Sequence, residues 1–327
     1  MKVIDHLDSF WLDSESVLTI GVFDGVHRGH QTLIHRVVER ARSTGRESGV
    51  VTFFPHPANV LSPENPVQYL TTPGERAAIL ERLGVDFMAL IQFTPAFAEL
   101  SAKQFVDLLR EHLRPAEIWV GRNFSFGRGG QGNVSFLQEQ GRQMGFGVHV
   151  LDPIRWNGDI VSSSRVRKLL ADGKMEEVAD LLGRYYMIAG EVVQGRQRGH
   201  QLGFPTANLE VRRERALPRD GVYACFALLG AQRFPAVANL GIRPTFGDRD
   251  RLLEVYLLDV DIDLYGCDLV VEFVRWMRPE LKFKSPEGLI AQMKQDVEEA
   301  RQLLRGIGRT QYDLAFSNWS FLRRGST

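Results

Sequence analysis

Residues Thr19–Ile34 read TIGVFDGVHRGHQTLI. An apolar strand pattern runs into a turn that holds Gly21, Gly25 and Gly29 and two histidines, His27 and His30. A striped helix follows, with Leu33, Ile34, Val37, Val38 and Ala41 on one face. A strand that passes through a glycine turn into a helix is the opening unit of a parallel sheet wound with crossover helices. Ligands of such sheets bind outside the carboxyl ends of the strands. A helix N-terminus placed there offers unpaired N–H groups and a partial positive charge to an anion. His27 and His30 stand beside that end and can donate hydrogen bonds to phosphate oxygens, which suits transfer at an α-phosphate. The same pair also suits a metal or two polar surface positions.

The surrounding sequence continues the pattern. Apolar runs at Val17–Val22, Val50–Phe54, Met88–Phe93, Ile118–Val120 and Val148–Leu151 read as short buried strands. Ala77, Ala78, Leu80 and Leu83 are compatible with a further helix between them. The first half is therefore α/β, with a parallel sheet. The texture changes after about Arg184. YYMIAGEVV, GVYACFALL, FPAVANLG, LLEVYLLDV and DLVVEFVRW are strand-like, and turn residues separate them. An antiparallel barrel or sandwich is predicted. A last helix carries Leu289, Ile290, Met293, Val297, Ala300 and Leu304 on one stripe. Helical patterns at Ser164–Ala171 and Met175–Leu182 join the halves, giving domains at residues 1–184 and 185–308 and a tail at 309–327 without a legible role.

The totals narrow the function. The chain has 327 residues, 44% hydrophobic and 24% charged, a length that suits about two domains. Forty basic residues balance forty acidic ones. No broad field points to nucleic acid or an anionic membrane, so phosphate recognition must be local. Cys225 and Cys267 are the only cysteines and fit buried reduced thiols. The start, MKVIDHLDSFW, has no signal-peptide pattern, and no run approaches the roughly 18 apolar residues of a membrane span. A cytoplasmic enzyme is expected, with homo-oligomerisation left open.

A second constellation lies at Gly190–Glu210, GEVVQGRQRGHQLGFPTANLE. Gly195 and Gly199 with Arg196 and Arg198 between them can lay backbone N–H groups and cations against ATP phosphates. In PTAN, Thr206 and Asn208 are neutral oxygen ligands two residues apart, on one face of an extended chain. That economy suits Mg²⁺, which takes few protein ligands besides phosphates and water. A turn whose Thr and Asn serve the local backbone is the plainer reading. One pattern misleads: Gly127, Gly129 and Gly132 fit G-x-G-x-x-G, with Asp152 about 20 residues on. The strand ends near Val120, so the tight strand-to-helix turn is missing, and a mobile loop beside a phosphate site is expected instead. The Walker pattern is absent.

Several blocks together resemble one family. GVFDGVHRGH is similar to the H-x-G-H nucleotidyltransferase signature in its flavin-enzyme form. TFFPHP (Thr52–Pro57), VGRNFSFGRGGQG (Val120–Gly132) and VSSSRVRKLL (Val161–Leu170) resemble its next three blocks. In the second half PTAN and its flanks, NLGIRPTFG (Asn239–Gly247), LEVYLLDVDIDLYG (Leu253–Gly266) and FVRWMRPELKF (Phe273–Phe283) resemble a riboflavin kinase. The whole is similar to the bacterial bifunctional riboflavin kinase/FAD synthetases. The resemblance implies a Rossmann-like nucleotidyltransferase domain, then a β-barrel kinase domain with a terminal helix. It implies riboflavin and ATP giving FMN, then FMN and a second ATP giving FAD and pyrophosphate, with Mg²⁺.

By position it implies that His27 and His30 contact the ATP phosphates, with Gly21, Phe23, Gly25 and Gly29 around the nucleotide. Ser163, Ser164 and Arg167 hold the phosphates from the other side; read alone, they are a helix cap and a solvated arginine. Asn123 orients FMN or the adenylyl group, although a loop Asn is commonly a turn residue. Phe54, Pro55 and Pro57 wall the flavin, or simply pack. Gly195, Arg198, Gly199, Gly203, Phe204 and Pro205 shape the kinase nucleotide pocket, and Thr206 and Asn208 hold the metal. Glu254 is the general base on the ribityl hydroxyl; its apolar strand neighbours suggest an inward direction, and a solvent-facing strand Glu is the alternative. The chain departs from the family at His200, where arginine is usual, and Arg196 and Arg198 flank it. Two other functions compete. One is an H-x-G-H adenylyltransferase for another phosphate, such as pantetheine phosphate, which would have no use for the second domain. The other is a non-catalytic flavin-binding regulator, which would tolerate loss of Glu254 and His30.

Overall fold

The computed structural model describes residues 1–193, 204–242, 251–260 and 262–307. Gly195, Arg196, Arg198, Gly199, His200 and Gly203 lie outside the described residues, as does the tail from residue 308. The described chain divides into two compact units, Met1–Ser163 and Ser164 onward.

The first unit opens with β1 (Lys2–Ile4), β2 (Ser16–Ile20), α1 (Arg28–Thr44) and β3 (Glu47–Phe54). It continues through α2 (Pro57–Leu61), α3 (Pro73–Arg82), β4 (Phe87–Gln92), α4 (Pro95–Ala98), α5 (Ala102–Leu113) and β5 (Pro115–Gly121). A hairpin, β6 (Ser125–Phe126) with β7 (Gly132–Asn133), leads to α6 (Val134–Met144) and β8 (Gly147–Leu151). A second hairpin, β9 (Arg155–Trp156) with β10 (Asp159–Ile160), closes the unit.

Six parallel strands form the sheet in the order β1-β4-β3-β2-β5-β8. Every residue of β2 is buried, as a central parallel strand covered on both faces requires. The chain leaves β2 through α1 toward β3 on one side, while β5 and β8 extend the other. The order therefore reverses at β2, and the ligand crevice of such a fold opens outside the carboxyl ends of β2 and β5. Leu33, Ile34, Val37, Val38 and Ala41 of α1 are buried, as their spacing predicts. The glycine-rich segment after Val120 is a hairpin, not the loop expected there. Gly127, Gly129 and Gly130 take positive φ at its turn, and the Phe126 ring covers Gly132.

The second unit begins with α7 (Ser163–Ala171) and α8 (Met175–Leu182). Then come β11 (Tyr186–Val193), β12 (Ala207–Leu209), β13 (Gly221–Leu229), β14 (Gln232–Ile242), β15 (Arg251–Leu257), β16 (Asp268–Arg278) and α9 (Pro286–Leu304). The strands close into an antiparallel barrel in the order β11-β12-β15-β14-β13-β16. Its interior is apolar: Ala238, Leu240, Leu253 and Val255 are fully buried. The units divide ahead of the texture change near Arg184; the difference is α7 and α8. The Arg219 amide donates to the Leu170 carbonyl at the end of α7, and Glu176 of α8 pairs with Arg275 of β16.

The terminal helix is tied to the barrel by a two-pronged ion pair. Arg278 donates from Nε and Nη2 to Oδ1 and Oδ2 of the buried Asp296, at 2.8 and 2.6 Å. Cys225 and Cys267 are free thiols; Cys225 is buried, and Cys267 is half-buried rather than enclosed as expected. Among the described residues no helix is long and apolar enough to cross a membrane.

Candidate active sites

The first site forms where β2 ends. Asp24 is buried and its carboxylate accepts from the Leu70 and Thr71 amides at 2.9–3.0 Å and from Thr71 Oγ1 at 3.1 Å. These bonds pin the turn to the segment that leads into α3. Gly25 has φ +79, and a Cβ there would lie 2.8 Å from Leu70, so the turn has no room for a side chain.

His27 is the N-cap of α1, and its Nδ1 accepts from the His30 amide at 3.3 Å. A neutral His27 ring therefore keeps its proton on Nε2, as a donor. The His27 and His30 rings stack at 3.6 Å, and Phe23 meets His30 edge-on at 5.0 Å. A Cβ on Gly29 would crowd the His27 ring at 3.2 Å, so this glycine makes space for the stack.

His30 Nδ1 is buried with no hydrogen-bond partner among the described residues. Burial, then the charges of His27 and Arg76, hold His30 well below the ordinary histidine value of 6.5. His30 is thus a neutral imidazole at physiological pH. A bare lone pair is cheaper to bury than an unpaired N–H, which places its proton on Nε2 as well. Each ring then presents its Nε2–H as a donor.

Of the other predicted residues, Asn123, Phe54 and Pro55 lie at neighbouring strand ends, while Pro57 opens α2 and Ser163, Ser164 and Arg167 lie on α7. Asn123 is exposed in the turn that leaves β5. Phe54 ends β3, and its ring meets Tyr69 at 5.4 Å; Pro55 and Pro57 follow, with Pro57 opening α2. Ser163 Oγ donates to the Asp24 carbonyl oxygen at 2.8 Å. Ser164 and Arg167 follow it along α7.

Sequence reading missed Asp24, Thr52, Tyr69 and Arg76. Thr72 and Glu75 form a reciprocal capping box that fixes the start of α3, and every residue from Gly74 to Leu80 is buried, Arg76 among them.

The second site lies on the outer wall of the barrel. Asn208 pairs in register with Glu254, and Glu254 pairs in turn with Asn239. Directly opposed residues share a sheet face, so Asn208, Glu254 and Asn239 form a polar row across β12, β15 and β14. Leu253 and Val255 on either side of Glu254 fill the interior, so Glu254 faces away from it. This corrects the inward direction expected from its apolar neighbours. Glu254 is half-buried all the same, on the face it shares with Tyr256. The Phe204 ring meets Tyr256 edge-on at 5.4 Å; Pro205 and Thr206 lead from there into β12.

The row extends further than sequence indicated. Asn239 Nδ2 donates to Glu280 Oε1 at 3.3 Å. The Glu280 carboxylate lies over Gly241, where a Cβ would be 2.1 Å from Oε1. Any side chain at position 241 would displace it.

Residues 10–165 match the FAD synthetase family, and residues 182–304 match the riboflavin kinase family. Among curated relatives, the bifunctional riboflavin kinase/FMN adenylyltransferase of Listeria monocytogenes serovar 1/2a is 37% identical over 295 residues, covering 89% of this chain and 93% of the relative. That of Escherichia coli strain K12 is 40% identical over 288 residues, covering 88% and 92%. A crystal structure described as a macrolide-efflux protein from Streptococcus pneumoniae superposes with TM-score 0.83 at 30% identity, covering 91% of this chain and 98% of that one.

Proposed function

The chain belongs to the bifunctional riboflavin kinase/FMN adenylyltransferase family, and from that premise we propose how its residues divide the two reactions. The protein phosphorylates riboflavin with ATP to give FMN, and adenylylates FMN with a second ATP to give FAD and pyrophosphate. One observation carries the assignment of residues. In the first unit two histidines stack at a helix start, and in the second a carboxylate is flanked by two amides from neighbouring strands, each arrangement suited to one of the steps.

In adenylyl transfer the FMN phosphate is already ionised, so no general base is required. The oxygens of the α-phosphate and the departing pyrophosphate gather charge and need donors around them. His27 and His30 supply Nε2–H groups, and the start of α1 adds its dipole. Ser163, Ser164 and Arg167 supply the remaining donors and positive charge. Asn123 orients the acceptor phosphate, and Phe54, Pro55 and Pro57 bound the flavin. Gly21, Phe23, Gly25 and Gly29 set the floor of the nucleotide site.

In phosphoryl transfer Glu254 takes the proton of the ribityl hydroxyl as its oxygen attacks the γ-phosphorus of ATP, and ADP leaves. Thr206 and Asn208 suit Mg²⁺, since hydroxyl and amide oxygens match a hard cation that draws its other ligands from phosphates and water. Bound there, Mg²⁺ neutralises phosphate charge. Among the described residues no cluster of His, Cys, Asp and Glu rivals that site. Phe204, Pro205 and the segment with Gly195, Arg198, Gly199 and Gly203 enclose the nucleotide. The protein works in the cytoplasm on small molecules and needs no nucleic acid.

Chromatographic assay with riboflavin, ATP and Mg²⁺ tests the scheme. Glu254→Ala loses FMN formation by about 10²–10⁴-fold yet still makes FAD from supplied FMN. His30→Ala makes FMN and loses FAD by about 10²–10³-fold. Loss of both activities in either folded variant would contradict separate sites.

A further inference from the structure

Arg76 is the largest fully buried side chain of the protein among the described residues. Its Nη1 donates to Thr52 Oγ1 at 2.8 Å and reaches the Phe53 carbonyl at 3.4 Å. Thr52 Oγ1 donates onward to the Val22 carbonyl at 2.8 Å, inside the turn that carries the two histidines. Arg76 Nε and Nη2 are buried and have no hydrogen-bond partner among the described residues. Water does not reach the guanidinium, so its positive charge is screened by little but protein.

Ordinary folding does not favour such a group. A buried cation with two unpaired donors is costly, and an apolar residue of similar volume generally fits such a site better. Arg76 is held nonetheless at the fourth residue of α3, by a capping box and by Thr52. The charged groups acting on His30 are His27, stacked on it, and Arg76 from α3. The Asp24 carboxylate, held by the Leu70 and Thr71 amides, acts on Arg76 together with Tyr69 and Glu75.

We infer that Arg76 is a positioning residue for adenylyl transfer, which acts through His30. It holds the histidine turn in place through Thr52 and Val22, and its fixed positive charge acts on His30. The charge adds to the effect of burial and opposes protonation of His30. It thereby keeps the ring in the neutral donor form as polyphosphate, which would otherwise draw a proton to it, arrives. This rests on the assignment of His30 to adenylyl transfer. No ligand reaches Arg76 itself.

The test measures kcat and KM for FAD formation from FMN against pH, with riboflavin phosphorylation in the same preparation as the folding control. Arg76→Met lowers kcat about tenfold or more at about pH 6 and much less at about pH 8, because the acid limb moves upward as His30 protonates more easily. Arg76→Lys keeps a charge and returns the limb to its original place. Thr52→Val keeps the guanidinium and loses the link to Val22; it lowers kcat without moving the limb. Arg76→Met with wild-type kcat and an unmoved limb, in protein that still makes FMN, overturns the inference. Should Arg76→Met fail to fold, the other two decide: wild-type kcat in Thr52→Val together with a shifted limb in Arg76→Lys overturns it. His30→Ala is assayed alongside. Full activity there removes the role of His30 and the inference with it, whereas an inactive His30→Ala beside an unaffected Arg76→Met removes the inference alone.

Discussion

A single imidazole links the chemistry of the first unit to its stability. His30 has its protonation suppressed in the folded chain by burial, then by His27 and Arg76. An unfolded chain has no such restraint and takes up the proton near the ordinary value of 6.5. Below that value the unfolded state binds more protons than the folded one, so stability falls with decreasing pH. The contribution is complete above the unfolded value and is lost progressively as pH drops toward the folded one. Denaturant midpoints of the wild type should therefore fall more steeply between about pH 7 and about pH 5 than those of His30→Phe. Equal slopes would mean that His30 is not held neutral. None of this was legible in the sequence. A histidine beside a glycine turn reads as a donor in either charge state, and burial, with the stacked neighbour and the buried arginine, decides between them. Arg76 was overlooked for a related reason: a charged residue on a helix defaults to the solvent, and only the burial of α3 from Gly74 to Leu80 encloses this one.

At the scale of elements, α9 depends on Asp296. Its carboxylate is buried and takes both prongs of Arg278, with Gln292 Nε2 donating to Oδ1 at 3.0 Å. Asp296→Ala leaves the guanidinium without its partner, and about 3 kcal/mol of unfolding free energy should be lost, read from urea midpoints. Replacing Arg278 and Asp296 together with apolar residues should cost less than the single change. The elements themselves were mostly readable. β2, β3 and β4 carry buried apolar runs because inner parallel strands are covered on both faces, whereas β8, at the sheet edge, is at most half-buried and not the buried strand expected. α1 carried a clean stripe. The strand β1 escaped, as a three-residue edge strand has too little pattern to register. The direction of Glu254 was misread because half-buried Leu252 and Tyr256 share its face. With apolar residues on both faces of β15, composition cannot say which face is the interior. The register against Asn208 and Asn239 settles it.

For the molecule as a whole, FMN is the product of one activity and the substrate of the other. If FMN passes through solution, Glu254→Ala and His30→Ala proteins mixed in one tube should restore FAD synthesis from riboflavin. The restored rate should follow a lag while FMN accumulates, and the lag should shorten as more His30→Ala protein is added. Absence of FAD from a mixture whose members each retain their partial activity would instead require transfer within one chain. The two-part organisation was visible as a change in texture near Arg184. What the texture could not show is that the short helices ahead of that point pack with the barrel, since an apolar helix face does not name the surface it will cover.

The placement of Glu254 has an evolutionary corollary. Along β15, Leu253, Val255 and Leu257 answer to folding, and the other face carries the proposed base Glu254. The barrel can thus be repacked, or its outer chemistry rewritten, by mutations that scarcely interfere with one another. Deep mutational scanning of this strand should return a two-beat record, with growth on riboflavin tracking one set of positions and protein abundance tracking the other.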